Sequence, residues 1–238
     1  MGAWIPRWLA ASYESLLERF EGSSFTSEEA ARAGVAKPQV VLPRLEKAGW
    51  LHRHGRGVYS TADPRVAIRS CFGDDWRSKV PQKQFVALIE SALGSMLSGY
   101  QRRLEGAVLY GSVARGTAKE TSDIDIIALV EGLPESYGER VREAAQMVRG
   151  VPIRAEGEPP GAFHDLGFVL LRPSELEEPY PFLLDVVNDG VILYDRDGST
   201  AEKLLKIKRE FEKMGAVRTQ LADGSWYWAL EVPRLRTG

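Results

Sequence analysis

The residues whose types and spacing could support chemistry lie in one stretch, LYGSVARGTAKETSDIDIIAL, at positions 109–129. Asp123 and Asp125 stand at the start of its second apolar run, and residues i and i+2 of a strand share a face. The two carboxylates therefore point the same way and repel each other unless a cation lies between them. This spacing predicts a site for Mg²⁺, which prefers carboxylate oxygens.

Gly111-Ser112 follows the first apolar run and indicates a turn from a strand into a helix. Small residues at such a turn let main-chain N–H groups approach a phosphate, and the helix start adds positive potential. A phosphate-binding turn that faces a carboxylate pair is what Mg²⁺-assisted transfer from a nucleoside triphosphate requires. Arg115 or Lys119 would neutralise the triphosphate, although Arg115 could equally pair within the fold.

This arrangement resembles the signature of the polymerase beta-type nucleotidyltransferase superfamily, specifically its minimal nucleotidyltransferase branch. The resemblance rests on Gly111, Ser112, Asp123 and Asp125, supported by Arg115-Gly116 and Ser122-Asp123. It implies transfer of a nucleoside monophosphate from an NTP, with ATP as the expected donor, to an acceptor hydroxyl with the help of two Mg²⁺ ions. In this family the acceptor can be an antibiotic, a protein hydroxyl, a tRNA end or another nucleotide.

The resemblance also implies a third carboxylate early in the third strand of the catalytic fold. Asp165, at the head of the apolar run 166–171, fits this place as a ligand of the catalytic ion and as a proton acceptor. If Asp165 only begins the strand, then Glu156, Glu158 or no residue completes the set.

The bulk composition is that of an ordinary water-soluble chain. It has 238 residues, 44% of them apolar and 27% charged, which is enough for one large or two small domains. The net charge of −2 excludes a global basic field, so any nucleic-acid surface must be local. A single cysteine, Cys71, excludes an intramolecular disulfide. We expect no signal peptide, no membrane contact and a cytoplasmic location.

Residues 12–62 predict a compact unit of three helices and two short strands. Thr26 or Ser27 can cap the second helix, and the third is expected over 37–48. Residues 50–59 read as two strands around a tight basic turn. Three helices followed by such a hairpin resemble a winged helix-turn-helix domain, and RLEKAGWLHRHGRGVYS resembles the helix-and-wing segment of antitoxin regulators of the abortive-infection type.

In a winged domain the third helix enters the major groove of DNA and the wing contacts phosphates. The candidate DNA-binding residues are Lys37, Gln39, Arg44 and Lys47 on the helix and Arg53, His54 and Arg56 on the wing. Pro43 lies within the expected helix, where proline costs about 3 kcal/mol. The helix either begins at Pro43 or kinks there, and both outcomes weaken sequence-specific readout. The alternative is a winged fold used for packing or for protein contacts.

The fold class predicted is α/β (α+β), with the winged helix domain at 1–73 and the nucleotidyltransferase domain at 74–238. The second domain is expected to hold a mixed sheet flanked by helices, then a C-terminal helix and a hairpin. Its helices are predicted over 82–101, 134–149, 180–187 and 200–214, and its strands over 107–110, 123–130, 165–171 and 190–194. Trp226-Tyr227-Trp228, after the Asp223-Gly224 turn signal, could stack a base, although packing is the more common role of such a cluster.

Two functions follow from these expectations. The first is a nucleotidyltransferase, DNA-associated or part of a toxin–antitoxin module, whose partners would be an NTP, double-stranded DNA and a protein or tRNA acceptor. The second is a DNA-binding transcriptional regulator whose transferase domain only binds nucleotide or dimerises. The sequence leaves the acceptor and the oligomeric state open.

Overall fold

A computed structural model describes residues 4–71, 76–119, 121–148, 165–178, 180–221 and 226–229. The N-terminal elements are α1 Arg7–Phe20, β1 Phe25–Thr26, α2 Ser27–Arg32, α3 Pro38–Lys47, β2 Leu51–Gly55 and β3 Val58–Thr61. The three strands form one antiparallel sheet in the order β1-β3-β2. These elements follow one another in the predicted order, and their identification as a winged helix domain stays a prediction.

The first residues of two N-terminal helices are determined by local interactions. Helix α1 begins earlier than expected because Leu9 extends the buried stripe of Tyr13 and Leu16 by one turn. Helix α2 begins at the predicted cap, where the Thr26 hydroxyl accepts from the Glu29 N–H (3.2 Å) and the Glu29 carboxylate accepts from the Thr26 N–H (2.7 Å). This capping box satisfies two main-chain donors that the helix itself leaves unpaired.

Helix α3 runs from Pro38 through Pro43 to Lys47, so the alternative in which it begins at Pro43 is wrong. Pro38 is tolerated because the first helical residue needs no intrahelical N–H bond. Pro43 withdraws one donor from the carbonyl of Gln39, but both residues lie on the exposed side of the helix, where water can take that place. Val41, Leu42 and Leu45 bury the opposite side.

The remainder of the chain supplies a second set of elements. They are α4 Pro64–Ser70, α5 Trp76–Lys79, α6 Val86–Tyr100, β4 Leu104–Tyr110, α7 Gly111–Arg115, β5 Ile124–Val130, α8 Tyr137–Val148, β6 Leu166–Leu171, α9 Leu183–Asp189, β7 Val191–Asp195, α10 Ser199–Lys213, β8 Val217–Gln220 and β9 Trp226–Ala229. None of the described helices is long and apolar enough to cross a membrane.

The central sheet has the strand order β6-β5-β4-β7. Strand β4 pairs antiparallel with β5 and β7, whereas β5 and β6 are parallel. The predicted mixed sheet flanked by helices is therefore confirmed. Strands β8 and β9 form a separate antiparallel pair, which we call the C-terminal hairpin.

The two faces of the central sheet carry different cores. Ile124 and Ile126 of β5 pack with α6 in one core, whereas Ile127 and Leu129 pack with α9 and α10 in the other. Successive side chains of a strand point to opposite faces. Asp125 is therefore placed on the face of the sheet that α9 covers.

The boundary between the two predicted domains, at residues 73–75, lies outside the described residues. Helix α4, just before it, belongs to both units, because Ala67 packs in the N-terminal core and Val66 in the core of the central sheet. The division at 1–73 and 74–238 stays a prediction.

A buried carboxylate joins the N-terminal unit to the central sheet. Glu90 of α6 is 1% exposed, and its Oε2 accepts from Arg77 Nε at 2.8 Å. On its other side, His52 Nε2 of β2 lies 3.1 Å from Glu90 Oε1. Burial disfavours the charged carboxylate, but the charges and hydrogen bonds of His52 and Arg77 outweigh it and lower the pKa of Glu90.

Replacing this carboxylate should destabilise the protein strongly. In Glu90→Ala the Arg77 guanidinium loses its buried ion pair with Glu90, and breaking such a pair from one side typically costs about 3 kcal/mol in the free energy of unfolding. Urea denaturation measures the change, with Glu18→Ala on the exposed side of α1 as the control. A loss equal to that of Glu18→Ala would contradict a structural role for Glu90.

Candidate active site

The carboxylate pair lies where the sequence placed it, at the start of β5. Asp123 immediately precedes the strand and is exposed, whereas Asp125 is its second residue and is half-buried. Asp125 is paired across the sheet with Tyr110, the last residue of β4. The antiparallel register therefore brings the carboxylate next to the turn that follows β4.

That turn requires glycine at position 111. Gly111 has a φ of 74°, in the left-handed region that glycine alone adopts without strain. A Cβ built there would lie 2.2 Å from Asp125 Oδ2, so no other residue leaves room for this carboxylate. Helix α7 begins at Gly111 and places Ser112 in its first turn. The Gly-Ser turn and the Asp-x-Asp strand thus meet in one site.

The electrostatics of Asp125 show that the two carboxylates affect each other. Burial raises the pKa of Asp125, the charge of Asp123 raises it further, and Arg115 partly offsets both. A carboxylate with a raised pKa is one whose negative charge is under-compensated. The site therefore carries an excess of negative charge on oxygen atoms, which suits a hard divalent cation.

Asp165, the predicted third carboxylate, is connected to the strand of this pair through its main chain. Asp165 is exposed and directly precedes β6, and its carbonyl accepts from the N–H of Ile124 at 2.9 Å. Gly167, two residues later, is the direct neighbour of Asp125 in the parallel ladder. Within the described parts of the chain, no three His, Cys, Asp or Glu side chains group so as to hold a metal ion. Asp165 as the third ligand stays a prediction, and its alternatives Glu156 and Glu158 lie outside the described residues.

The loop between α7 and β5 is closed by Ser122. Its hydroxyl accepts from the Lys119 N–H at 2.8 Å, and its own N–H donates to the Lys119 carbonyl at 3.0 Å. This tight turn ends directly before Asp123 and so determines the position at which the chain enters β5. Lys119 itself is exposed.

The structure places Arg115 in an internal cluster, which was one of its two predicted roles. Its Nη1 lies 4.0 Å from an oxygen of Asp185 and 3.8 Å from one of Asp189, both on α9. Its Cζ lies 5.1 Å from the centroid of the Trp226 ring in the C-terminal hairpin. The Trp226 cluster is therefore packed beside the candidate site.

Two kinds of residue at the site escaped the sequence interpretation. Burial and the charges of Asp125 and Asp185 raise the pKa of Tyr110 to about 12, so its hydroxyl remains protonated at the border between the two acidic groups. Asp185 and Asp189 stand four apart on α9, a spacing that puts them on one helix face. The spacing of the two aspartates can be recognised in the sequence, but nothing in the sequence indicates which element this face of α9 contacts.

The predicted DNA-binding residues lie on the N-terminal unit. Lys37, Gln39, Arg44, Lys47, Arg53 and Arg56 are exposed. The Arg44 guanidinium lies 5.0 Å above the ring of Trp8, and Arg53 Nε donates to the Gly55 carbonyl at 3.1 Å. His54 is only half-buried, bonds Ser60 Oγ at 2.7 Å, and has a pKa lowered by burial and by His52. At neutral pH His54 therefore adds little positive charge to the wing.

Comparison with known proteins agrees with this geometry. Residues 90–155 match the family model of the nucleotidyltransferase domain. The matched range contains the Gly-Ser turn and both Asp123 and Asp125, and it ends before Asp165. The nucleotidyltransferase resemblance predicted from the motif is thereby confirmed for this stretch of the chain, whereas the winged helix resemblance of the N-terminal unit stays a prediction.

One curated relative is the Methanocaldococcus jannaschii protein named "Putative protein adenylyltransferase MJ1305", 28% identical over 103 residues. The match covers 42% of this chain, and the chain spans 65% of the length of that relative. Among solved structures, a toxin-antitoxin crystallised with AMP-PNP matches at 16% identity and a TM-score of 0.36, covering 51% of this chain and 86% of that one. The toxin-antitoxin MntA-HepT matches at 14% identity and a TM-score of 0.33, covering 51% and 82%.

The raised pKa of Asp125 predicts a stability effect with a definite sign. The cost of ionising Asp125 is absent below the ordinary aspartate pKa of 3.8, grows as the pH rises from there to the higher pKa of the folded chain, and is constant above it. Asp125→Asn cannot ionise, so it should raise the melting temperature at neutral pH without divalent cations. The gain should shrink towards about pH 4, and Mg²⁺ should stabilise the wild type more than the variant.

The control is Asp197→Asn, because hydrogen bonds from Ser199 lower the pKa of Asp197 and its charge is favourable. That variant should show no gain in melting temperature at neutral pH. A lower melting temperature for Asp125→Asn than for the wild type, without Mg²⁺, would contradict the electrostatic description of the site.

Proposed function

We propose that this protein transfers a nucleoside monophosphate from an NTP to an acceptor hydroxyl, releasing pyrophosphate. The observation that carries the proposal is the packing of the Asp125 carboxylate against Gly111, with Asp123 beside it. A phosphate-binding turn and a metal-binding carboxylate pair are thereby presented to one space. Their family match is to a nucleotidyltransferase domain.

The residues present fit Mg²⁺. The donors are carboxylate oxygens, the pKa of Asp125 is raised by burial and by Asp123, and the glycine at position 111 leaves the Asp125 oxygen uncovered. Asp123 and Asp125 would hold the ion, with Asp165 as the expected third ligand. When bound, Mg²⁺ would supply charge neutralisation of the phosphates and would make an acceptor hydroxyl more acidic.

The chain's own residues would have three roles. The N–H groups of Gly111 and Ser112, with the Ser112 hydroxyl, would bind the β- and γ-phosphates. Lys119, which is exposed on the loop before Asp123, would neutralise the triphosphate. Asp165 would accept the proton that leaves the acceptor hydroxyl.

We further propose ATP as the donor and a protein hydroxyl as the acceptor. The support is the name of the curated relative, a protein adenylyltransferase. A tRNA end is the competing acceptor. A toxin–antitoxin setting would suit a chain that modifies a partner protein, and it belongs to the same proposal.

The proposal is tested by label transfer. Incubation with α-labelled ATP and Mg²⁺, with protein fractions or tRNA as acceptors, should give a labelled product. Asp123→Ala and Asp125→Ala should each reduce transfer at least about a hundredfold, because each removes a ligand from the metal site. The control is Asp197→Ala on the loop before α10, which should transfer like the wild type.

The identity of the labelled product distinguishes the two acceptors. Label on protein but not on tRNA supports protein adenylylation, and the reverse result moves the acceptor to tRNA. Full transfer by either aspartate variant would reject the catalytic assignment.

A second candidate function is DNA binding by the N-terminal unit, alone or alongside transfer. The specific observation is that Arg53 near the end of β2 and Arg56 in the turn that follows are both exposed, on a chain whose net charge is slightly negative. Such a local basic patch would bind phosphates rather than bases. Helix α3 continues through Pro43, and its exposed Lys37, Gln39, Arg44 and Lys47 would lie in the groove.

Arg53→Ala with Arg56→Ala should weaken binding to all duplexes about equally. The slope of log affinity against log salt should become shallower by about two, one for each phosphate contact that is lost. Gel-shift titrations over a range of salt concentrations measure both quantities, with exposed Arg142→Ala on α8 as the control for losing a positive charge away from the wing. A wild-type protein that binds no duplex at low salt would make the N-terminal unit a packing or partner-docking module.

A further inference from the structure

The guanidinium of Arg115 is located by contacts that include no hydrogen bond at Nη1. That atom is buried and finds no hydrogen-bond partner within the described parts of the chain. The nearest carboxylate oxygens, on Asp185 and Asp189, lie 4.0 and 3.8 Å away, which is attraction at a distance rather than a directional bond. The acidic residues of α9 therefore attract Arg115 without fixing its orientation.

Both carboxylates of α9 are already bonded to the C-terminal hairpin. Asp185 accepts from Trp228 Nε1 at 2.9 Å, and Asp189 pairs with Arg218 of β8 at 3.1 Å. The hydrogen bonds engage Oδ1 of each carboxylate, whereas the Oδ2 atoms are the ones nearest Arg115 Nη1, and Asp189 Oδ2 finds no hydrogen-bond partner within the described residues. These bonds hold the hairpin on α9, next to Arg115.

What the hairpin presents to Arg115 is an aromatic ring. Trp226 lies 5.1 Å from the Arg115 guanidinium, measured from its centroid to Cζ, and 3.9 Å from that of Arg218. A planar guanidinium binds an indole face through charge–quadrupole attraction and stacking, and tryptophan is the best such partner. The ring therefore restricts where the Arg115 charge can lie.

The position of that charge matters because of its second neighbour. Arg115 lies one turn after Ser112 on α7, and its charge acts on Asp125. Without a restraint, the long side chain could pair with Asp125 or Asp123 and so neutralise the site that Mg²⁺ needs. The α9 carboxylates and the Trp226 ring hold the guanidinium where its charge acts on Asp125 without forming a salt bridge to it.

We propose that Trp226 is a positioning residue that holds Arg115 beside the carboxylate pair, where its charge meets the polyphosphate of a bound NTP. The inference rests on the proposed function and adds the C-terminal hairpin to the nucleotide site. Trp226 acts through Arg115 and touches no substrate.

The experiment measures binding separately from turnover. Calorimetry gives the Kd of the full-length protein for Mg²⁺ with an ATP analogue that has a methylene between the α- and β-phosphorus atoms. Trp226→Leu keeps apolar bulk but loses the aromatic face, and should raise this Kd about tenfold, equivalent to about 1.4 kcal/mol. Trp226→Phe should restore most of the affinity. Tyr227→Leu, on the exposed side of the same strand, is the matched control and should bind like the wild type.

A double-mutant cycle tests whether Trp226 works through Arg115. Trp226→Leu combined with Arg115→Ala should bind no worse than Arg115→Ala alone, because the restrained group is gone. In steady-state transfer, Trp226→Leu should change KM for ATP more than kcat. Melting temperatures of all variants establish that they are folded.

Each remaining outcome overturns the inference in an identifiable way. If Trp226→Leu binds as tightly as the wild type, or if the double variant loses more than Arg115→Ala, Trp226 does not position Arg115. Equal losses of nucleotide affinity in Trp226→Leu and Trp226→Phe would show that Trp226 acts through its size and packing rather than through the contact of its aromatic face with the guanidinium. A wild-type protein that transfers nucleotide while Trp226→Leu behaves identically rejects only this inference. A wild type that binds no Mg²⁺–nucleotide complex rejects the proposed function with it.

Discussion

The candidate site depends on one constraint, the approach of the Asp125 carboxylate to the backbone of Gly111. The β4–β5 register pairs Tyr110 with Asp125, and the next residue of the chain must turn away with a positive φ. Only a residue without a Cβ permits both the turn and the carboxylate. The predicted phosphate-binding turn and the predicted metal-binding pair come together because β4 ends, and the antiparallel β5 begins, at the same edge of the sheet.

The surroundings of this contact are organised by charge. Asp123 adds a second negative charge beside Asp125, and α9 adds two more on the same side of the sheet, at Asp185 and Asp189. Arg115 lies among these carboxylates. The C-terminal hairpin contacts this cluster through the ring of Trp226, beside Arg115, and through the guanidinium of Arg218, which pairs with Asp189. The positive charge of Arg115 thus lies near the acidic pair, where a polyphosphate and its cation would add charges of both signs.

The N-terminal unit is attached to this machinery by buried contacts rather than by a bare linker. Helix α4 contributes to both cores, and Glu90 of α6 contacts His52 of the β2 strand. Strand β2 also carries Arg53 and leads into the turn that holds Arg56. Arg53 therefore lies on a strand that contacts α6 through His52.

The sequence by itself determined the site's centre and most of the elements, because these depend on local rules. Alternation placed Asp123 and Asp125 on one face, Gly111-Ser112 marked the turn, and the Thr26 capping box began α2 where expected. Contacts between segments distant in sequence were decided only by the tertiary structure. The internal partners of Arg115, and the arrival of Trp226 beside it, depend on how α9 and the hairpin dock. Docking depends on summed burial and charge across the fold, which spacing along the chain does not encode.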